Sequence, residues 1–379
     1  MSFEFDNAAR ITGGTRDLTE VAEVVGRRCL REAGLLPAGT ARLPGEQDVW
    51  ELTSPHGLAR LWAGANGISL RGLNPAQAMD RVLEADREIC KRDGSGTSAF
   101  SGLLANVAAT AAQAGWKSVQ HSWKQIARTA IVRDFRRTNR ASPTEAILQP
   151  VSERGEIRES DMQDRYAYAT PTSFAATVLF SRAALLADDQ GILTAAFRDG
   201  SAASARVNES VFAAFALNSG AGPTLNQDSI ALFHSTHGNL AGSPAALTAT
   251  TVGAARSGIR RQTHPLSGRR LNIPPRFLLV PSTLETTAKI VAAAEQAPGE
   301  MDPLTVIADS ALDDVSGTGF YLLADPRLFD TLEICFVGQV EPLMDAMPSF
   351  ESDGISYRLR TDFAVTWLDY RGAYRNAGA

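Results

Sequence analysis

The residues suited to chemistry are few and scattered. His234 and His237 stand three apart in the run HSTHGNL, and His264 lies further on. A zinc site needs a third ligand, and a zinc protease needs His-Glu-x-x-His, which the sequence lacks. In a loop ahead of a helix, these histidines are expected to hydrogen-bond the loop itself. Asp188-Asp189 and Asp313-Asp314 are paired carboxylates at turn or cap positions, where capping accounts for them. No nucleophile-elbow Gly-x-Ser-x-Gly occurs, no Gly-x-x-x-x-Gly-Lys and no strand-borne Gly-x-Gly-x-x-Gly. Lys91, Lys117, Lys124 and Lys289 are the only lysines, which leaves few candidates for a Ser-Lys dyad. Cys29, Cys90 and Cys335 have no metal-ligand spacing and do not make a disulfide scaffold. No catalytic, cofactor-binding or metal-binding residue is assigned, and the expectation is that the chain is not an enzyme.

The elements carrying these residues belong to a chain of 379 residues, long enough for two or three structural units. Hydrophobic residues at 44% and charged residues at 21% describe a folding chain rather than a disordered one. No stretch approaches the roughly 20 apolar residues that span a bilayer, and MSFEFDNAAR lacks a secretory signal. A net charge of −5 argues against a dedicated nucleic-acid binder.

Residues 1–97 read as two helical pieces around a turn-rich centre. The first covers Arg16–Ala33 and stops at Gly34; the second starts with Asn74 as N-cap and Pro75. Residues 37–72, with Trp50 and Trp62, are expected to be turns. A Gly/Ser break at Lys91–Phe100 precedes an Ala-rich helix over Ser98–Ala114. The basic segment with Arg128, Arg133, Arg136, Arg137 and Arg140 is expected to be a solvated face paired with Asp134 and Glu145. Residues 141–182 suggest a long hairpin-like excursion with a charged tip, alternating at Tyr166, Tyr168, Phe174, Ala176, Val178 and Phe180. A two-stranded ribbon is marginal alone, so it calls for a neighbouring subunit.

Leu193, Phe197, Gly200, Ser204, Val207, Val211 and Phe215 then recur at steps of three and four, which predicts a helix over Gln190–Asn218 capped by Asp189. It would be about 43 Å long. Its small centre, Gly200–Ser204, lets another backbone approach closely. Beyond it the pattern predicts a helix over Leu247–Gln262, a strand at Arg276–Pro281 and a helix capped by Ser282 through Ala294. Further strands are expected at Leu332–Val337, Ile355–Leu359 and Phe363–Asp369, with Asp353-Gly354 as a turn.

Residues 97–379 resemble the major capsid proteins of tailed bacteriophages, in particular the Mu-like major head subunits with the Hong Kong 97 fold. The resemblance rests on TSAFSGLLANVA (Thr97–Ala108), LFHSTHGNLA (Leu232–Ala241) and LNIPPRFLLVPSTLETTA (Leu271–Ala288). FYLLADP and the closing GISYRLRTDFAVTWLDYRGAYRNAGA complete it. It implies an α+β fold with an N-terminal arm (98–134), an extended loop (135–182), a spine helix of the peripheral domain (183–222), an axial domain (223–330) and returning peripheral strands (331–379). Residues 1–97 would be a helical extension, either packed on the shell or scaffold-like and removed.

The function so implied is self-assembly into pentamers and hexamers of an icosahedral shell enclosing double-stranded DNA, non-specifically held. Portal, scaffold, decoration or head-tail connector proteins would be partners, no cofactor or membrane would be involved, and the place would be the virion, assembled in a bacterial cytoplasm. Some relatives join an extended-loop lysine to a neighbour's asparagine. No lysine lies between Lys124 and Lys289, so that bond is not expected here. Two alternatives stay open: an encapsulin-type compartment shell, and a hydrolase or maturation protease using His234 or His237.

Overall fold

In the computed structural model, residues 55–93, 99–119, 121–143, 164–181, 191–265, 267–294, 304–349 and 354–379 are described. The expected helix at Arg16–Ala33, the tip of the excursion, the Asp189 cap and Asp353 lie outside them. The chain divides into two units, each assembled from three separate stretches.

The first unit comprises Met1–Gln120, Ser173–Ala205 and Glu341–Thr361. Its helix α1 is Pro55–Ala65, where turns were expected. Proline suits the first helical position because its missing N–H would have no partner there. Leu58, Ala59, Trp62 and Ala63 then fall on one buried face. Helix α2, Pro75–Asp93, begins where the Asn74 and Pro75 signal predicts. Asn74 Oδ1 accepts from the Gln77 amide at 2.8 Å, and Gln77 Oε1 accepts from the Asn74 amide at 3.2 Å, a reciprocal cap.

Helix α3, Ala99–Ser118, runs four residues past its expected end and straight through Gly115-Trp116. Gly115 has a specific reason to be there. A Cβ on it would strike the carbonyl of Phe197, and one on Gly200 would strike the carbonyl of Ala112. Phe197 and Gly200 belong to α5, Gly191–Ala216, so α3 and α5 cross at backbone contact. Met79, Val82, Leu104, Val107, Ala108, Ala111, Ala196, Ile355 and Tyr357 join α1 in one core.

The second unit comprises His121–Thr172, Arg206–Val340 and Asp362–Ala379. A short helix α4, Trp123–Ile126, leads into β1, Arg128–Val132. β1 pairs in parallel with β8, Leu332–Val337, from the opposite end of the sequence. Strands β2, Thr138–Pro143, and β3, Asp164–Ala169, form a two-stranded antiparallel ribbon with Asn139 opposite Tyr168. The excursion is therefore a ribbon, as its sequence suggests. Its expected second half is not part of it: β4, Thr172–Ser181, pairs instead with β10, Gly354–Trp367.

β10 is one strand where the sequence suggests two. Residues Gly354–Arg360 pair with β9, Leu343–Ser349, and Phe363–Trp367 pair with β8. A second sheet has the order β11-β7-β5-β6. Its strands are β5 (Pro275–Val280), β6 (Thr305–Ala308), β7 (Phe320–Ala324) and β11 (Ala373–Asn376). β5 and β6 are parallel, which requires a crossover, and α7, Glu285–Ala294, lies between them in sequence. Ser282 does not cap α7 directly. It opens a 3-10 turn, Ser282–Leu284, and its hydroxyl donates to Asp313.

Helix α6, Ala249–Arg260, is capped by Thr248, whose hydroxyl accepts from the Thr251 amide. Val252, Ala255 and Ile259 of α6 pack with Leu278, Val280, Phe320 and Leu322 of the sheet. The C-terminal part of α5 meets an aromatic cluster, with the Phe215 ring 5.2 Å from Tyr321 and 5.0 Å from Trp367.

Candidate functional site

The side chains of the run HSTHGNL make structural contacts. His234 precedes a 3-10 turn, Ser235–His237, and its Nδ1 accepts from the Thr236 amide. Gly238 closes the turn in the left-handed region. His237 is buried; Nδ1 lies 3.0 Å from the Leu232 carbonyl and Nε2 lies 2.8 Å from Asp228 Oδ2. The ring stacks on Tyr370 with centroids 4.0 Å apart and planes 11° from parallel.

Asn239, fully buried, completes the arrangement. Its Oδ1 accepts from the His234 amide, and its Nδ2 donates to the carbonyls of Leu232 at 2.8 Å and Tyr370 at 3.3 Å. The Arg375 amide donates to the Asn239 carbonyl, and the Ala241 amide to the Arg375 carbonyl, each at 2.9 Å. HSTHGNL thus fastens the closing segment YRGAYRN. His264 stands apart, accepting at Nδ1 from the Ser267 amide at 3.2 Å. Among the described residues, no group of three or more His, Cys, Asp or Glu could hold a metal ion.

The C-terminal segment is stiffened by its own ion pair. Asp369 Oδ1 accepts from the Arg371 amide at 2.9 Å and from Arg371 Nε at 3.0 Å, and both side chains are buried. Removal of either partner would strand a charge in the interior.

A second buried carboxylate sits at the root of the ribbon. Glu333 of β8 has a side chain 1% exposed and accepts from Arg140 of β2 through both oxygens, at 2.5 and 2.6 Å. Arg128 of β1 adds a pair to Asp330 at 2.6 Å and a longer one to Glu333 at 3.9 Å. The bond to Glu333 raises the Arg140 pKa. Burial, then the Glu333 charge, pushes the neighbouring Cys335 thiol up to about 12. Arg137 lies over the Tyr168 ring, 3.4 Å from its centroid, and ties β3 back to the start of β2.

The basic segment was read as a solvated face, and this is half of its role. Arg136 meets Asp134 at 3.8 Å, as expected, and Glu145 lies outside the described residues. Arg128 and Arg140 instead anchor a sheet and a ribbon to acids that follow them by some 200 residues in the sequence. Nothing local to the segment announced those partners.

The outward surface carries more apolar area than its sequence advertised. Ile131 at 61% exposure, Ile290 at 64%, Leu328 at 69% and Met347 at 72% are open, and Phe135, Leu179 and Leu217 are about half open. β4 is exposed or half-buried at each of its ten positions, Phe174, Val178 and Phe180 included. The half-buried positions Phe174, Val178 and Phe180 share one face, where Phe180 meets the Tyr357 ring, and the alternate face with Leu179 is open.

Residues 166–376 match the phage capsid protein family, and the chain belongs to that family. The matched stretch contains most of the ribbon strand β3, then β4, the long helix and all strands from β5 to β11, and β1 lies before it. No curated protein matches the chain. Among solved structures, the capsid of cyanophage P-SCSP1u is similar at 9% identity, with 69% of this chain and 88% of that one covered and a TM-score of 0.47. The capsid of Ralstonia phage GP4 follows at 10% identity, 69% and 89% coverage and a TM-score of 0.44. A virus-like particle from Pyrococcus furiosus gives 10%, 70% and 96%, and 0.43.

Proposed function

We propose that this capsid protein is the major head subunit of a tailed phage, closing into pentamers and hexamers of an icosahedral shell around double-stranded DNA. The observation that carries the reading is β4, an edge strand whose ten positions are all exposed or half-buried, in a chain of the phage capsid family. Such a surface is satisfied by copies of the same subunit meeting through unlike patches, as closed rings require. The proposed division follows the Hong Kong 97 plan: arm 98–134, extended loop 135–182, spine 183–222, axial domain 223–330 and peripheral strands 331–379. Residues 1–97 form an extension on that core. Portal, scaffold, decoration and connector proteins are the further partners of this reading, and the chain itself is not an enzyme.

Cohesion is non-covalent in this proposal. The extended loop has no lysine, and Lys289 of α7 is paired with Glu285. The test is particle formation by the purified chain or its phage. Electron microscopy is expected to show closed icosahedral shells, absorbance at 260 and 280 nm to show DNA in filled heads, and a denaturing gel to show a single monomer band. A ladder of covalent oligomers would overturn the non-covalent part. Shells that hold protein cargo and no DNA would replace the head by a cellular compartment. Mass spectrometry of the same particles reads whether residues 1–97 stay attached.

A further inference from the structure

The charges of this chain are segregated along its sequence. Residues 94–144 hold seven cations, Lys117, Lys124, Arg128, Arg133, Arg136, Arg137 and Arg140, against one acid, Asp134. Residues 290–326 hold seven acids, Glu295, Glu300, Asp302, Asp309, Asp313, Asp314 and Asp325, and no Lys, Arg or His. With a net charge of only −5 overall, these two windows are strong local departures in opposite directions.

Part of each window lies on a turn of the second unit, and Glu295, Glu300 and Asp302 lie outside the described residues. The basic turn, residues 133–137, joins β1 to β2, and all five of its residues are exposed. Arg136 is 89% exposed, and Phe135 and Ile131 provide apolar area beside it. β1 is the edge strand of its sheet, so nothing follows it in the pairing order. The acidic turn, residues 309–314, follows β6, which is the edge strand of the other sheet. Asp314 is exposed, and Asp309, Asp313 and Asp325 are half-buried. Their described bonds are to neutral donors: Asn208 and the Ala311 amide to Asp309, Ser282 to Asp313, the Arg327 amide to Asp325. Among the described residues, neither Arg133 nor Arg137 holds a carboxylate, and no ion pair joins the two turns within one copy.

We propose that the basic turn at residues 133–137 of one subunit docks on the acidic turn at residues 309–314 of a neighbouring copy. This contact rests on the shell reading above and gives it direction. The two turns are unlike, so each copy offers one and receives the other, the head-to-tail contact that closes rings. The arginines steer the approach and fix its register, and like-charged alternatives are rejected. Phe135 and Ile131 supply the apolar centre of the contact.

A charge swap tests it in the full chain. Arg133→Glu with Arg136→Glu reverses the basic turn, and Asp313→Lys with Asp314→Lys reverses the acidic one. Each pair alone is expected to lower the yield of sedimenting particles at least about tenfold, and the four changes together to recover most of it. Circular dichroism melting checks that the variants fold. A folded pair variant that assembles like the parent would overturn the contact, as would a folded fourfold variant that fails to recover. If variants lacking the basic turn assembled fully and lost only packaged DNA, the turn would belong to nucleic acid and the proposal would fall. Failure of the parent chain to form particles would instead count against the shell reading.

Discussion

His237 shows how a residue chosen for catalysis elsewhere serves here as a fastener. Both ring nitrogens are engaged and the ring face is covered by Tyr370. His237→Ala would leave Asp228 Oδ2 and the Leu232 carbonyl without the imidazole and open a gap against Tyr370. The expected cost is about 2 kcal/mol, because a buried polar group loses its bonds and its packing together. Chemical denaturation of the parent and variant chains measures it.

Cys335 and three buried or half-buried tyrosines set a limit on alkaline conditions. Burial raises the Cys335 thiol to about 12, and burial also raises Tyr321, Tyr357 and Tyr374. A raised pKa means that the folded chain keeps a proton the unfolded chain releases. The stability from this source is complete below the unfolded value, 9.0 for the thiol, and falls as pH rises toward 12. Denaturant midpoints at pH 8, 9.5 and 11 are expected to fall in that order. Cys335→Ser is expected to flatten the first part of the decline.

At the scale of elements, the crossing of α3 and α5 is the most exacting contact. Two glycines let one helix backbone meet another, and a side chain at either strikes a carbonyl. Gly200→Val is expected to cost about 3 kcal/mol through overpacking. Gly253, in exposed space on α6, is the control. A Cβ there meets nothing within 4 Å, so Gly253→Ala is expected to stabilise by about 0.5–1 kcal/mol through helix propensity. Thermal melts of both variants, read against the parent, separate close approach from backbone entropy.

The small centre of α5 was legible in the sequence, since Gly200 sits in a helical stripe that a core glycine alone would weaken. Its partner Gly115 was read as a terminator, because a lone glycine carries the same signal whether it ends a helix or admits a neighbour. α1 was missed for a related reason. Pro55, Gly64 and Gly67 punctuate its ends and hide the face of Leu58, Ala59, Trp62 and Ala63. β10 was split because Thr361 and Asp362 are polar and both buried, which strict alternation forbids. The histidine run was correctly read as hydrogen-bonding loop, yet its contacts with Tyr370 and Arg375 were invisible, because no local pattern encodes a distant partner.

For the whole molecule, chain order and spatial order differ sharply. Each unit draws on three separate stretches, and β1 finds β8 across most of the sequence. Long-range pairing of this kind is slow to form, since loop entropy is lost before the contacts repay it. Charge patterning is the exception, because it needs no partner to be read. The basic window was visible as a segment, and its counterpart emerges only when the acids are counted over a stretch as long.

The edge strand β4, open on one face, has a consequence inside the cell that makes the chain. Until neighbours arrive, each new copy carries an edge strand of high β-propensity with one face open, the form that seeds amorphous precipitation. The two outcomes compete for the same molecule, so synthesis rate and chaperone supply decide how much chain matures and how much is lost to inclusion bodies.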